Sequence, residues 1–165
     1  MINYREVGDN NEKMGITRKI LYKLPDWFGV EDYIEDYIKD SVNSRIYAAY
    51  ESEDDPIGFI SVKCHNQYSA EVYVMGILPE YHRKGVGTAM IKIVEDYLIQ
   101  QNYKFLMVKT LSESSNDPWY SMTRKFYCAA GFYPLEEIKE IWGENEPCLI
   151  MIKQLEGILS KESLP

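Results

Sequence analysis

The sequence predicts a mixed α/β (α+β) domain in which about six to seven strands form one sheet and about four helices flank it. Three observations predict it. Short apolar runs separated by turn residues dominate the first half, apolar residues recur at helical spacing in four segments, and the later strands alternate with helices. A meander followed by strand–helix alternation is the order a mixed sheet requires. At 165 residues the chain is most simply one domain, long enough to bury a core without disulfides or metals. No repeat, low-complexity tract or Pro/Gly/Ser-rich linker divides it.

The elements follow in order. Residues Ile2 to Val7 read as a short strand. Asn10 to Leu24 carries Met14, Ile16, Ile20, Leu21 and Leu24 close to helical spacing, and Pro25 interrupts the pattern. Trp27-Phe28-Gly29 makes an aromatic corner. Tyr33, Ile34, Tyr37 and Ile38 predict a second helix over Val30 to Ser41. Arg45 to Ser52 and Ile57 to His65 read as a hairpin joined by Glu53-Asp54-Asp55-Pro56. Glu71 to Leu78 is the next strand, and Gly87 to Gln101 is a helix with Met90, Val94, Tyr97 and Leu98 on one face. Phe105 to Leu111 is another strand. Pro118 to Ala130 is a helix closed by Gly131, a residue type suited to the left-handed cap position. Phe132 to Glu137 and Leu149 to Lys153 complete the strands, and the tail after Leu155 is expected to fray.

A net charge of -8 argues against a nucleic-acid partner, because phosphate backbones are bound by an excess of Lys and Arg. It is compatible with an amine substrate. No apolar run approaches the roughly 18–20 residues of a membrane helix, and the N-terminus lacks a signal-peptide core, so a cytoplasmic location and no membrane partner are expected. Cys64, Cys128 and Cys148 are far apart and form no ligand cluster with histidine, which leaves no disulfide framework and no metal site and suggests buried free thiols.

The chemistry concentrates between Val72 and Thr88. An apolar strand runs into His82-Arg83-Lys84-Gly85-Val86-Gly87, a basic, glycine-spaced loop that opens a helix. A helix N-terminus leaves backbone N–H groups unpaired, and glycines let them approach a phosphate closely. Such a loop holds a phosphorylated ligand. Gly76 inside the strand predicts a bulge, which would free an N–H to polarise a carbonyl. The Rossmann and P-loop patterns are absent, which disfavours a nucleotide-binding domain.

The chain resembles the GNAT superfamily of N-acetyltransferases. His82 to Gly87 is similar to the family's [Q/R]-x-x-G-x-[G/A] loop, although His82 stands where Gln or Arg is usual. Phe126-Tyr127-Cys128-Ala129-Ala130-Gly131-Phe132 resembles the F-Y-x-x-x-G-F that ends the family's fourth helix. The two runs are separated by one helix and one strand, in the family's order, over nearly the whole chain. The resemblance implies one N-acetyltransferase domain over residues 1–155, with 156–165 as a tail and a mostly antiparallel sheet. It implies acetyl-CoA as donor, an amine as acceptor, direct attack in a ternary complex, and no acyl-cysteine.

Carried over by position, the amides from Arg83 through Lys84, Gly85, Val86 and Gly87 to Thr88 would receive the pyrophosphate. Met75, Gly76 and Ile77 would pair with the pantetheine arm, and His82 and Tyr120 would touch the cofactor. Tyr127 falls where the family places a general acid, and a phenol near pKa 10 can protonate a thiolate whose acid has pKa near 8.5. Glu71 stands where some members place a general base. In a fold of this family Trp27, Phe28, Trp142, Glu144 and Glu146 would border the acceptor, while the three aromatics read first as caps on the hydrophobic core. Arg124 and Lys125 could bind a phosphate or an acidic group. A non-catalytic acyl-CoA-binding module is the alternative, and exposed sheet edges are compatible with a homodimer.

Overall fold

The computed structural model describes residues 1–156; the expected fraying of the tail after Leu155 falls almost wholly outside them. The described residues form seven strands, β1 (Asn3–Val7), β2 (Arg45–Ser52), β3 (Asp55–Cys64), β4 (Ser69–Ile77), β5 (Phe105–Leu111), β6 (Tyr133–Ile138) and β7 (Cys148–Gln154). Four helices accompany them, α1 (Asn10–Leu21), α2 (Glu31–Asp40), α3 (Val86–Gln100) and α4 (Pro118–Ala129). The sheet order is β1-β2-β3-β4-β5-β7-β6. Every neighbouring pair is antiparallel except β4 and β5, which run parallel.

Alternation along the strands supplies two cores. Ile46, Ala48, Tyr50, Phe59, Val74 and Leu78 pack under α1 and α2 through Ile16, Ile20, Leu21, Ile34 and Ile38. The intervening Tyr47, Ala49, Ile60, Val62, Val72 and Val108 face the other way, onto Met90, Val94 and Leu98 of α3 and Tyr127 of α4. Because each strand sends successive side chains to opposite faces, one apolar stretch serves both layers.

The caps are local and strong. The Asp9 carboxylate accepts from the Glu12 N–H at 2.9 Å at the start of α1. The Asp117 carboxylate accepts from the Trp119 and Tyr120 N–H groups at 2.9 and 3.0 Å, and Pro118 occupies the first turn of α4. Gly131, at φ +94°, closes that helix.

Some boundaries differ from the sequence reading. The first helix stops at Leu21 and not Leu24, since the residue before Pro25 is pushed out of helical geometry and Lys23 and Leu24 turn on Ile20 and Leu21 instead. The hairpin turn is only Glu53-Asp54, because Ser52 already pairs with Asp55. Two of the three thiols expected to be buried, Cys64 and Cys128, are exposed; Cys148 alone is buried, and burial raises its pKa to about 11. Cys64 lies at a strand end and Cys128 on the outer side of α4, where neither has a core to face. No helix of the described residues is long and apolar enough to cross a membrane.

Candidate active site

The site begins with a defect in the sheet. β4 pairs with β3 through Ser61↔Val74 and then Val62↔Val72, so Tyr73 is an extra residue, a β-bulge. On the other edge, β4 and β5 pair only from Ser69↔Phe105 to Val72↔Val108. Beyond Val72 the two strands separate. A bulge bends its strand and adds twist, which is the physical reason that pairing with β5 ends there.

This corrects the placement of the bulge at Gly76. Gly76 pairs with Phe59, and Leu78 N–H donates to Ile57 C=O at 2.9 Å. In an antiparallel ladder, bonded pairs alternate, so Gly76 bonds β3 as Leu78 does, and Met75 and Ile77 turn their backbone groups to the open edge. Gly76 is glycine for another reason. A Cβ there would lie 2.8 Å from Ile20 Cγ2 and 3.0 Å from Leu24 Cδ1, so α1 rests directly on the strand.

A cavity of about 690 Å³ occupies the split. Its walls come from both layers, with Trp27, Phe28 and Tyr37 on the α1/α2 side and Val86, Phe126 and Tyr127 on the α3/α4 side. It therefore runs through the sheet. Of the residues singled out from sequence, Met75, Gly76, Ile77, His82, Arg83, Gly85, Val86, Gly87, Thr88, Tyr120 and Tyr127 all line it. Lys84 and Glu71 do not. Lys84 leans over the Tyr81 ring, 5.1 Å from its centroid.

The loop end is made of backbone. Arg83 and Gly85 take positive φ, +60° and +79°, and Gly85 caps α3 without a side chain. The first amide of that helix with a helical partner is Ala89, bonded to Gly85 C=O at 3.0 Å. The N–H groups of Val86, Gly87 and Thr88 are thus the unpaired start of the helix. Nothing lies within 4 Å of a Cβ built at Gly85, so the cradle is open. Gly87 is different: its Cβ would meet the Phe126 ring at 2.9 Å and Ile77 Cδ1 at 3.1 Å, which makes it a packing glycine between α3, α4 and β4.

His82 anchors this loop. Its Nε2 lies 2.7 Å from Ile77 C=O and must carry the proton, since a carbonyl only accepts. Its ring meets Trp27 edge-on at 5.5 Å. Tyr81 donates to the Glu51 carboxylate and ties the loop to the end of β2.

Trp27 also ties its loop to α4 through three contacts. Its indole N–H donates to Thr123 Oγ1 at 3.1 Å, its ring packs 5.1 Å from Trp119, and its carbonyl accepts from the Tyr120 hydroxyl at 2.7 Å. Tyr120 therefore holds the α1–α2 loop down on α4. Burial, with Tyr37 and Asp117 nearby, keeps its pKa well above the ordinary phenol value. Tyr127 is buried at 6% exposure, with Phe126 and Phe132 packed edge-on against it at 5.2 and 5.4 Å. Burial, reinforced by Tyr120 and Tyr37, pushes its pKa well above 10, so its phenol holds its proton.

Glu71 sits on the α1/α2 side, behind the wall. It is 3% exposed; one carboxylate oxygen is 2.6 Å from His65 Nε2 and the other 3.5 Å from Lys109 Nζ. Lys109, which the sequence reading passed over, does line the cavity. Only the alternation of β5, which turns Val108 to one core and Lys109 to the opposite face, could have pointed to it. Trp142 also lines the cavity, whereas Glu144 and Glu146 do not. Lys125 lines it, while Arg124 is spent on the Leu111 carbonyl at 2.7 Å. Among the described residues no group of His, Cys, Asp and Glu could hold a metal ion.

A sheet split after one parallel pair, with a glycine-capped helix start at the mouth, leaves a cleft with unpaired amides at one end. The profile of the acetyltransferase (GNAT) family matches residues 16–132, most of the chain, and the protein belongs to that family. It is an acetyltransferase, which sets aside the reading as a non-catalytic module. Among solved structures it is similar to a GNAT-family protein from Desulfovibrio desulfuricans, with TM-score 0.82, 15% identity, and 94% of this chain covering 100% of that one. It is similar to the ribosomal-protein-S18-alanine N-acetyltransferase from Escherichia coli, with TM-score 0.75, 12% identity, and coverage of 99% and 100%. A GNAT-family acetyltransferase from Elizabethkingia anophelis, solved with acetyl-CoA bound, gives TM-score 0.67, 16% identity, and coverage of 93% and 98%. At these identities the likeness is one of fold. No curated protein gives a significant match.

Proposed function

We propose that the chain moves an acetyl group from acetyl-CoA to a primary amine by direct attack in a ternary complex. The observation that carries this reading is the split between β4 and β5, with an open helix start at one end and the protonated Tyr127 phenol beside it. The residues present fit the donor. Val86, Gly87 and Thr88 offer unpaired amides for a pyrophosphate, with Arg83 and Lys125 as flanking cations, and Met75 and Ile77 offer strand edges to an amide-bearing arm. His82 keeps Ile77 C=O occupied, so it shapes that edge from the side.

Bound there, acetyl-CoA supplies an acetyl group activated on sulfur. The open-edge amides of β4 then meet the carbonyl oxygen as charge builds on it. Tyr127 gives its proton to the sulfur as the C–S bond breaks and the new C–N bond forms. Glu71 is the proposed sink for the proton the amine gives up. Because its carboxylate stands behind Lys109, the proton reaches it through water.

Calorimetric titration with acetyl-CoA and with coenzyme A is the test. Micromolar binding of both, weakened in the Arg83→Met/Lys125→Met double variant, supports the donor site. No binding of either ligand overturns it. For the base, Glu71→Gln should lower turnover with acetyl-CoA affinity intact; unchanged turnover removes Glu71 from the reaction.

A further inference from the structure

Among the described residues, no carboxylate lines the cavity. The chain carries 26 Asp and Glu against 18 Lys and Arg, yet among the described residues no acidic one lines the cavity, while Arg83, Lys109 and Lys125 all do. In so acidic a protein, that bias is not a matter of average composition. Arg83 and Lys125 lie at the loop end, where the donor's phosphates account for them. Lys109 does not. It projects from β5 on the face opposite Val108, the α1/α2 face on which Tyr37 and Tyr73 also pack.

Lys109 is held in place but not used up. Its one ionic partner among the described residues, Glu71, is 3.5 Å away, too long for a good hydrogen bond, and Glu71 already takes a 2.6 Å bond with His65. No hydrogen bond to Lys109 forms among the described residues, so the three N–H donors of its ammonium are free for a ligand. Around it the wall is aromatic. The Phe28, Tyr37 and Tyr73 rings are stacked edge-on in series at 6.0 and 5.3 Å, and Trp27 and Trp142 lie on the same cavity.

We infer that the acceptor is an amine that also carries a carboxylate and an aromatic or bulky apolar body, an aromatic α-amino acid in its simplest form. Lys109 takes the carboxylate, the rings take the side chain, and the amine is left facing the split. This inference rests on the acetyl-transfer reading of the same site and names its substrate class. The balance is that of that reaction: the amine nitrogen gains the acetyl carbon, sulfur leaves with a proton, and the amine loses one, giving an N-acetyl amino acid and coenzyme A. An ammonium on the wall disfavours polycations such as spermidine, which bring like charge to it.

The experiment measures thiol release from acetyl-CoA with L-phenylalanine, L-tryptophan, phenylalanine amide, phenethylamine and spermidine. The amino acids should exceed the amide and the simple amine in kcat/KM by about tenfold to a hundredfold, the range of a hydrogen-bonded charge contact. Lys109→Met should erase that preference, mainly through KM, and Lys109→Arg should restore part of it, with acetyl-CoA binding preserved in both. Amide and amine turned over as well as the amino acids overturns the inference on the unaltered protein, whatever the variants do. So does turnover of none of the five by protein that binds acetyl-CoA, which leaves the donor reading standing. Failure to bind acetyl-CoA overturns both together.

Discussion

At one end of the cavity the wall is backbone, the amides of Val86, Gly87 and Thr88 and the open edge of Met75 and Ile77. At the other end it is side chains, with Trp27 and Phe28 from a loop, Tyr37 from α2, Tyr73 from β4, Lys109 from β5 and Trp142 from the turn before β7. A backbone site needs a short contiguous run with the right φ angles, and almost any side chains suit it provided none is in the way. A side-chain site needs distant segments brought together and held. The first kind keeps one ligand through wide changes of sequence; the second can change its ligand with one or two substitutions.

Substitutions at each end test that contrast. The largest effect is expected at Tyr127→Phe, which keeps the ring packing and removes the proton. Turnover should fall roughly a hundredfold or more, with acetyl-CoA affinity changed little, as read from steady-state kinetics beside calorimetry. Equal loss of both would make Tyr127 a wall residue and not an acid.

The two loop glycines should separate next. Gly87→Ala forces a methyl onto Phe126 and Ile77 and should cost about 1–3 kcal/mol in urea unfolding. Gly85→Ala meets no atom but holds a left-handed conformation, at a cost of about 1–2 kcal/mol. Its larger consequence should be weaker acetyl-CoA binding, because a shift in the left-handed turn displaces the unpaired amides that follow it. If both variants lose only stability, the loop end is not an anion site.

Tyr120→Phe should be milder. It leaves the Trp27 carbonyl without its partner and should destabilise the fold by about 1 kcal/mol. Acceptor KM should move more than acetyl-CoA affinity, since the Trp27 loop walls the acceptor end.

The smallest effect at neutral pH, and the one that grows with alkalinity, concerns the buried phenols. Burial raises the folded-state pKa of Tyr120 and Tyr127 above the ordinary value near 10. In the unfolded chain these phenols ionise near pH 10, so ionisation favours unfolding from there upward. The stability they contribute is complete below about pH 10 and is lost as pH rises toward the folded-state values. Chemical denaturation from pH 8 to 11 should show a flat region and then a decline. A kcat that falls below pH 9 must come from a group other than Tyr127.

Much of the fold was legible in the chain. β2 and β5 are found between the residues that periodicity marks, and the second half alternates as read. The geometry of the loop end was legible too, because it is made of consecutive backbone groups and glycine spacing announces the turn that opens α3. The misreadings share a cause. Gly76 looked like a bulge, but it is small because α1 lies against it, and at Gly87 spacing alone gave no sign that Phe126 also lies against it. Sequence shows that a side chain is missing, not what occupies its place. Glu71 and Lys109 were opaque for the same reason. Their meeting depends on the parallel register Glu71↔Met107, which no local pattern displays.

By itself, then, the sequence determined the class of this protein, its element order and the glycine-spaced loop that opens α3, all of which rest on interactions between near neighbours in the chain. The tertiary structure decided where the sheet splits, which strand amides face the opening, and that Lys109, paired with Glu71, reaches the cavity wall. Those features arise where residues from several separate segments meet, and only the packed fold determines which of them do.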